Sequence, residues 1–310
     1  MRAIGQDGFG GPEVLKVIEV ERPEPGPAEV LVRVHAAGVN PTDSWHRASG
    51  GLAGTVVRLG WDVSGVVEAV GPGVTTLAVG DEVFGLPRHP LPAGTYAEYV
   101  TSPARHLVRK PDGLTHVQAA ALPLAALTAW QALVDVADVR PGQRVLIHAA
   151  AGGVGHLAVQ IAKSRGAHVI GTARSAKHAF LRDLGADELV DYTATDFETA
   201  VAPVDVVIDT IGGTYGPRSL RTLRRGGVLV SLASPAEAHL ADEARALGLR
   251  AAFMIVEADQ AGMREIAALA GQGLLRPAID TVFPLERAAD AHELGDGRRT
   301  TGKIVLSLVS

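Results

Sequence analysis

Residues 150–155 read Ala150-Ala151-Gly152-Gly153-Val154-Gly155. Glycines at this spacing let a backbone turn tightly and approach a ligand closely; the chemistry they suit is the cradling of a diphosphate. Gly152, Gly153, Val154 and Gly155 are the candidate contacts, with Ala150 where the first glycine of a G-x-G-x-x-G turn would stand. About 20 residues further on, an NAD site carries an acid that accepts from the ribose 2′-OH. Here the chain reads Thr172-Ala173-Arg174-Ser175-Ala176-Lys177, with no acid and two cations. Arg174 can grip a phosphate with a planar fork and Lys177 adds a mobile point charge. Two cations at a helix start oppose the helix dipole, a cost that a bound anion relieves. The expected cofactor is therefore NADPH rather than NADH.

Such a turn binds a dinucleotide only between a strand and a helix. The apolar run 144–149 predicts a buried parallel strand, 154–165 a helix and 168–172 a second strand, a βαβ unit. Strand patterns recur at 188–190, 204–209, 227–232 and 250–256. Helical patterns recur at 176–184, 215–223, 236–247 and 260–272. Alternation of this kind predicts a doubly wound parallel sheet. Residues 1 to about 110 read instead as β-rich, with short strands at 14–20, 30–35, 63–70, 81–84 and 96–100 between Pro/Gly turns, and no long periodic helix. The tail gives strands at 276–285 and 302–308 around a helix at 285–294; periodicity alone does not say which sheet they join.

Composition narrows the function. The chain has 310 residues, 47% hydrophobic and 20% charged, which suits one large or two ordinary globular domains. A net charge of −5 without a basic run argues against nucleic acid. No cysteine is present, so thiolate metal sites and a cysteine nucleophile are excluded. The apolar window 117–134 contains Pro123 and reads as a buried, broken helix rather than a membrane span. Residues 1–7 lack a signal-peptide core, so the expected location is cytoplasmic.

Several stretches together resemble one family: Ala36-Ala37-Gly38-Val39-Asn40-Pro41-Thr42-Asp43, Gly60-Trp61-Asp62-Val63-Ser64-Gly65, Val79-Gly80-Asp81-Glu82-Val83-Phe84-Gly85, Gly94-Thr95-Tyr96-Ala97-Glu98-Tyr99, residues 149–163, and Thr301-Gly302-Lys303-Ile304-Val305-Leu306. The chain resembles the zinc-independent quinone oxidoreductases of the ζ-crystallin type, within the medium-chain dehydrogenase/reductase superfamily. The resemblance implies an α/β protein with a GroES-like β-rich substrate domain at 1–121 and 275–310, and a Rossmann domain at 122–274. It also implies NADPH, a quinone or enone acceptor, and a homodimer through the strand 250–256. An apolar edge strand left open would invite aggregation, so a partner there is physically reasonable. Zinc-using relatives carry Cys-His where this chain has Asn40-Pro41, His-Glu at Trp61-Asp62, and a second Cys close to Leu124; none of these ligands is present, so no metal is expected.

The resemblance places further candidates. Asn40 read alone is a turn former before proline; with the family it becomes a donor to a substrate carbonyl or the nicotinamide ribose. Asp43 reads as a helix cap or a proton relay. Trp45 and His46 are candidates to line a quinone pocket; Trp45 reads equally as domain-interface packing, and His46 as a proton donor near neutral pH or, more often for a lone histidine, a surface residue. Thr128 matches a threonine near the nicotinamide and Tyr192 one that closes the 2′-phosphate pocket with Lys177. Thr210-Ile211-Gly212-Gly213 ends the fourth strand of the Rossmann half, at the sheet edge where a carboxamide is expected. Lys303 matches a tail position and reads otherwise as a solvated charge. With no acid–base pair, nucleophile elbow or metal in sight, the sequence suits chemistry supplied by the cofactor: hydride transfer to an electron-poor carbon. The rival readings are an alcohol dehydrogenase and an NADPH-binding protein with a structural or sensory role.

Overall fold

The computed structural model describes residues 1–309. Seven strands come first: β1 (Arg2–Gly5), β2 (Lys16–Glu19), β3 (Glu29–Val39), β4 (Val63–Val70), β5 (Glu82–Gly85), β6 (Tyr99–Pro103) and β7 (Leu107–Arg109). Helices α1 (Pro41–Ser49), α2 (His116–Ala120) and α3 (Pro123–Trp130) accompany them. The alternating half follows, with strands β8 (Arg144–Ile147), β9 (His168–Thr172), β10 (Glu188–Val190), β11 (Val204–Asp209), β12 (Leu223–Ser231) and β13 (Arg250–Phe253). Its helices are α4 (Gly155–Ser164), α5 (His178–Asp183), α6 (Phe197–Ala200), α7 (Tyr215–Leu220) and α8 (Leu240–Ala246). Helix α9 (Gln260–Gly271), β14 (Ile279–Pro284), α10 (Ala288–Asp296) and β15 (Lys303–Ser307) complete the elements.

Contacts divide the chain into two compact units: Met1–Leu127 with the stretch from Val256 onward, and Thr128–Ile255. In the first unit, seven strands form one sheet in the order β14-β15-β3-β4-β5-β7, with β6 on β3. The tail question is answered here: β15 pairs antiparallel with β3, so the tail belongs with the β-rich half. Alternating valines of β3, Val30, Val32 and Val34, meet Val63, Val67, Val83 and Val100 in a buried cluster. Helix α9 packs on β7 and so goes with this unit. The boundaries expected for the Rossmann half, 122 and 274, therefore both move inward: residues 122–127 and 256–274 go with the β-rich unit, although a helix after a strand continues the alternating pattern.

The sequence showed no periodic helix in this half, yet α1 runs for nine residues. The residues it buries are Asp43, His46 and Arg47. A polar buried face leaves no apolar stripe to detect. End signals make the helix instead: Asn40 as N-cap, Pro41 in the first turn, Asp43 closing a capping box, and Gly50 at φ 80° ending it. The window 117–134 is the broken helix that was expected, α2 then α3, with Pro123 opening the second. No helix among the described residues is long and apolar enough to cross a membrane.

The second unit is a six-stranded, wholly parallel sheet in the order β10-β9-β8-β11-β12-β13. The order reverses between β8 and β11, and at such a switch point ligands bind beyond the carboxyl ends of the strands. Its interior is Leu146, Ile170, Val207, Leu220, Leu229 and Leu240 with Phe197. Strand β13 is an edge, paired to β12 alone.

Candidate active site

Beyond β8 the chain enters a turn whose shape depends on small residues. Ala149 sits at φ 46°, in the left-handed region that costs a residue with a Cβ on the order of 1 kcal/mol or more. Its carbonyl accepts from Gly152 N–H at 2.8 Å. A Cβ at position 155 would lie 2.7 Å from Ala150 Cα and closer still to Ala149 O, so the opening residue of α4 has to be glycine. A Cβ at 152 would stand 3.2 Å from the same carbonyl. The N–H groups of His156, Leu157 and Ala158 are taken by Gly152 O and Val154 O, which leaves those of Gly153, Val154 and Gly155 as the donors a ligand at this turn would meet. Gly152, Gly153, Val154 and Gly155 thus form a backbone cradle at a helix N-terminus, the shape a diphosphate requires.

At the end of β9 two expected partners meet. Arg174 donates through Nε to the Tyr192 hydroxyl at 3.3 Å, and both residues are exposed. Lys177 ends the same short turn, Ser175–Lys177, that leads into α5. One neighbour was not foreseen. Asp191, just past β10, accepts from Ser175 N–H at 2.9 Å and from Thr193 through its N–H and hydroxyl. Those donors hold its carboxyl far below the usual range. The acid absent from the end of β9 in the sequence is thus delivered by the adjacent strand, β10.

Ile211 and its glycines end β11 in a turn held by two carboxylates. Asp209 accepts from the N–H groups of Ile211 and Gly212, at 2.8 and 3.0 Å, and Glu237 from that of Gly213 at 2.9 Å. Both acids are buried; burial, and then Glu237, push the Asp209 carboxyl up. Their role was not legible, because Glu237 comes from a turn 24 residues beyond the glycine it holds. Thr128 is buried on α3 as the second unit begins.

In the first unit, Asn40 and Asp43 belong to one buried polar cluster. Asp43 is fully buried and accepts from the N–H of Asn40 and the N–H of Gly60, both at 2.8 Å. The Asn40 amide donates to Asp62 Oδ2 at 2.7 Å and accepts from Lys303 Nζ. Asp62 Oδ1 takes Leu124 N–H at 2.6 Å, an open donor of the first turn of α3. Lys303 lies 3.7 Å from Asp62 and donates to Val39 O at 3.1 Å. Gly38 makes room, since a Cβ there would lie 2.6 Å from Ala120 O and overlap Asp62. The solvated charge expected at Lys303 is therefore a buried ammonium, 3% exposed, reached because β15 pairs alongside β3. Burial pushes it down, and Asp62 and Asp43 draw it back up.

Positions 40, 62 and 124 thus converge, where the resemblance puts metal ligands in zinc-using relatives. An amide, a carboxylate and an ammonium fill the place. Among the described residues, no three His, Cys, Asp or Glu side chains form a metal-holding group. Trp45 is 41% exposed, whereas His46 is buried, with its ring between Thr42 O at 2.8 Å and Leu52 N–H at 3.2 Å. It therefore ties α1 to the loop that follows.

Burial raises the Asp43 carboxyl to about 7, against the pull of its two N–H donors. A raised acid keeps its proton in the fold after the unfolded chain has released it. Its stabilising effect is complete below about pH 4 and is lost as pH climbs to about 7. Relative to Asp43→Asn, the wild type should therefore lose stability across that interval. Urea midpoints at pH 4.5, 5.5 and 7 measure this; a constant difference would refute it.

A parallel sheet of this order with a glycine turn at its switch point defines a dinucleotide-binding protein of the Rossmann class. Residues 26–112 match the alcohol dehydrogenase GroES-like domain and residues 184–306 the zinc-binding dehydrogenase domain. Human quinone oxidoreductase is 32% identical over 99% of this chain and 98% of its own length. The quinone oxidoreductase structure from Coxiella burnetii is 38% identical, covers 100% of this chain and 99% of its own, and superposes with a TM-score of 0.95. Two further solved structures differ in the cofactor that they name. A mycobacterial protein complexed with NADPH has a TM-score of 0.88 at 32% identity, covering 99% and 100% of the two chains. An NAD-dependent alcohol dehydrogenase has 0.89 at 38%, covering 100% of each. The chain also spans 8% of a pikromycin polyketide synthase component from Streptomyces venezuelae, at 39% identity over 94% of this chain, and similarly small parts of the other polyketide synthases it matches. The chain belongs to the quinone oxidoreductase family of the medium-chain dehydrogenase/reductases. Its fold is the one that family implies: a GroES-like β-rich unit and a Rossmann unit.

Proposed function

We propose that the chain is an NADPH-dependent reductase of quinones or α,β-unsaturated carbonyls that works without a catalytic zinc. The observation that carries this reading is the turn at 149–155, where a left-handed Ala149 and an obligatory Gly155 leave a cradle for a diphosphate. When bound, the nicotinamide supplies a hydride to an electron-poor carbon of the acceptor, whose oxygen gains the negative charge. The residues of the chain bind and orient. Gly153 to Gly155 hold the diphosphate by backbone N–H groups, and Gly152, whose N–H closes the turn on Ala149 O, lets the backbone approach. Arg174, Lys177 and Tyr192 take the 2′-phosphate. Thr128 and the Asp209–Glu237-braced turn at Ile211 fix the nicotinamide end. Asn40 and Asp43 act as positioning residues, since the Asp43 carboxylate is wholly enclosed and the Asn40 amide is held by Asp62 and Lys303. Water supplies the proton.

Titration of NADPH and NADH, followed by turnover on a panel of quinones and enones, tests the reading; sizing by light scattering in the same buffer tests the expected dimer through β13. Arg174→Ala should weaken NADPH about tenfold, the scale of one charge-assisted hydrogen bond, and leave NADH unchanged. Equal loss for both cofactors would remove the 2′-phosphate from the pocket.

One observation favours a second reading. Asp191 stands at the end of β10 against Ser175 N–H, close in the chain to Tyr192, and its negative charge suits a ribose hydroxyl better than a phosphate. On that reading the chain is an NAD-dependent dehydrogenase of small alcohols. Tighter binding of NADH than NADPH, with activity lost to chelators, would establish it. Tight NADPH binding without turnover on any acceptor would point to storage or sensing.

A further inference from the structure

His148 follows β8 and immediately precedes the turn. It is fully buried, with both ring nitrogens engaged: Nδ1 lies 3.2 Å from Thr172 Oγ1 and Nε2 2.9 Å from Ser219 Oγ. Thr172 ends β9, and its hydroxyl also accepts from Ala149 N–H at 3.3 Å. The backbone of His148 is bound as well. Its N–H donates to Ile208 O and its carbonyl accepts from the Thr210 hydroxyl, both at 3.0 Å. Edge-on contacts with Phe197 and Tyr215, at 4.6 and 5.1 Å between ring centres, fix the plane of the imidazole. One side chain therefore ties the exit of β8 to β9 and to α7, next to the residue that the turn holds at φ 46°.

We propose that His148 is a positioning residue for the cofactor: its ring fixes the Thr172 hydroxyl against Ala149 N–H and so holds the turn 149–155 in the shape that receives the diphosphate. The inference rests on the dinucleotide reading above. A neutral ring suffices, since one nitrogen can donate and the other accept, and each hydroxyl can answer either. Burial, with the nearby Arg218, pushes the imidazole down to about 3. His148 thus carries no charge toward a phosphate near neutral pH, and its influence passes through geometry alone. The left-handed Ala149 explains why a brace is needed. A residue with a Cβ leaves that conformation unless its surroundings over-determine it.

The test compares His148→Phe, His148→Asn, Thr172→Val and Ser219→Ala with the wild type. The readouts are NADPH affinity by nicotinamide fluorescence, KM for cofactor and acceptor separately, and the urea midpoint. Phe keeps the ring volume and loses both hydrogen bonds. Asn retains a polar group near the place of Nδ1. His148→Phe and Thr172→Val should weaken NADPH about tenfold and raise its KM alike, with the acceptor KM unchanged, a factor that corresponds to one lost hydrogen bond. His148→Asn should recover most of the affinity, and Ser219→Ala should lose stability with little loss of affinity. Wild-type affinity in His148→Phe and Thr172→Val would overturn the proposal. So would affinity that follows the urea midpoint across the set, Ser219→Ala included. If His148→Phe does not fold, Thr172→Val and His148→Asn decide by the same criteria. A wild-type protein that binds neither dinucleotide would fail the cofactor reading itself, a result distinct from wild-type binding that the variants leave untouched.

Discussion

Gly155→Ala is expected to cost about a hundredfold or more in NADPH affinity, the scale of a displacement near 1 Å at a binding site. The added methyl would lie 2.7 Å from Ala150 Cα and 2.8 Å from its carbonyl carbon, both backbone atoms that no rotamer change can move. Either α4 slides away from the turn or the turn opens, and both shift the N–H groups that face the diphosphate. Overpacking should also destabilise by about 1–3 kcal/mol. Gly8→Ala is the control, because a Cβ there meets nothing within 4 Å. Fluorescence titration and urea unfolding of the two variants measure both quantities. Full affinity in Gly155→Ala would remove the turn from cofactor binding.

Lys303→Met should be the most destabilising of the changes considered in the first unit, by about 3–5 kcal/mol, the cost of stranding a buried charge. Lys303 is the cation beside Asp62, and Asp62 is wholly buried, its other partners being the side-chain N–H of Asn40 and the backbone N–H of Leu124. Met fills the volume of the stem and supplies no charge. Urea midpoints of the variant and the wild type at pH 7 measure the loss. A small loss would show that Lys303 is not the counter-charge of Asp62.

The Rossmann half was legible because its signals are local. A buried parallel strand carries a short apolar run, as the central strands β8, β9, β11 and β12 do, and the half-buried edges β10 and β13 were placed by the alternation around them, with ends displaced by a few residues. The turn at 150–155 could be read for the same reason, since its constraint lies within six consecutive residues. Helix α1 could not be found by periodicity, because the face it buries holds Asp43, His46 and Arg47, residues that solvent usually claims. Lys303 taken by itself reads as a solvated charge for a related reason: a lysine is buried only when a partner awaits it, and Asp62 comes close only once β15 lies along β3. Asp191, Glu237 and His148 share that limit. Each acts on a backbone group or hydroxyl delivered by another strand or turn, and no pattern within one segment encodes such a meeting.

The place of Lys303 bears on how the polypeptide matures as it leaves the ribosome. Its ammonium meets the side chain of Asn40 across 263 positions of sequence, and the whole parallel sheet lies between them. The middle unit has all its strands at hand early and can collapse on its own. The flanking one has to wait, with Asp62 still wet and residues 36–39 of β3 lacking their β15 partner, until β15 is synthesised. Nascent chains stalled shortly before residue 303 should accordingly carry a protease-resistant centre and a digestible front.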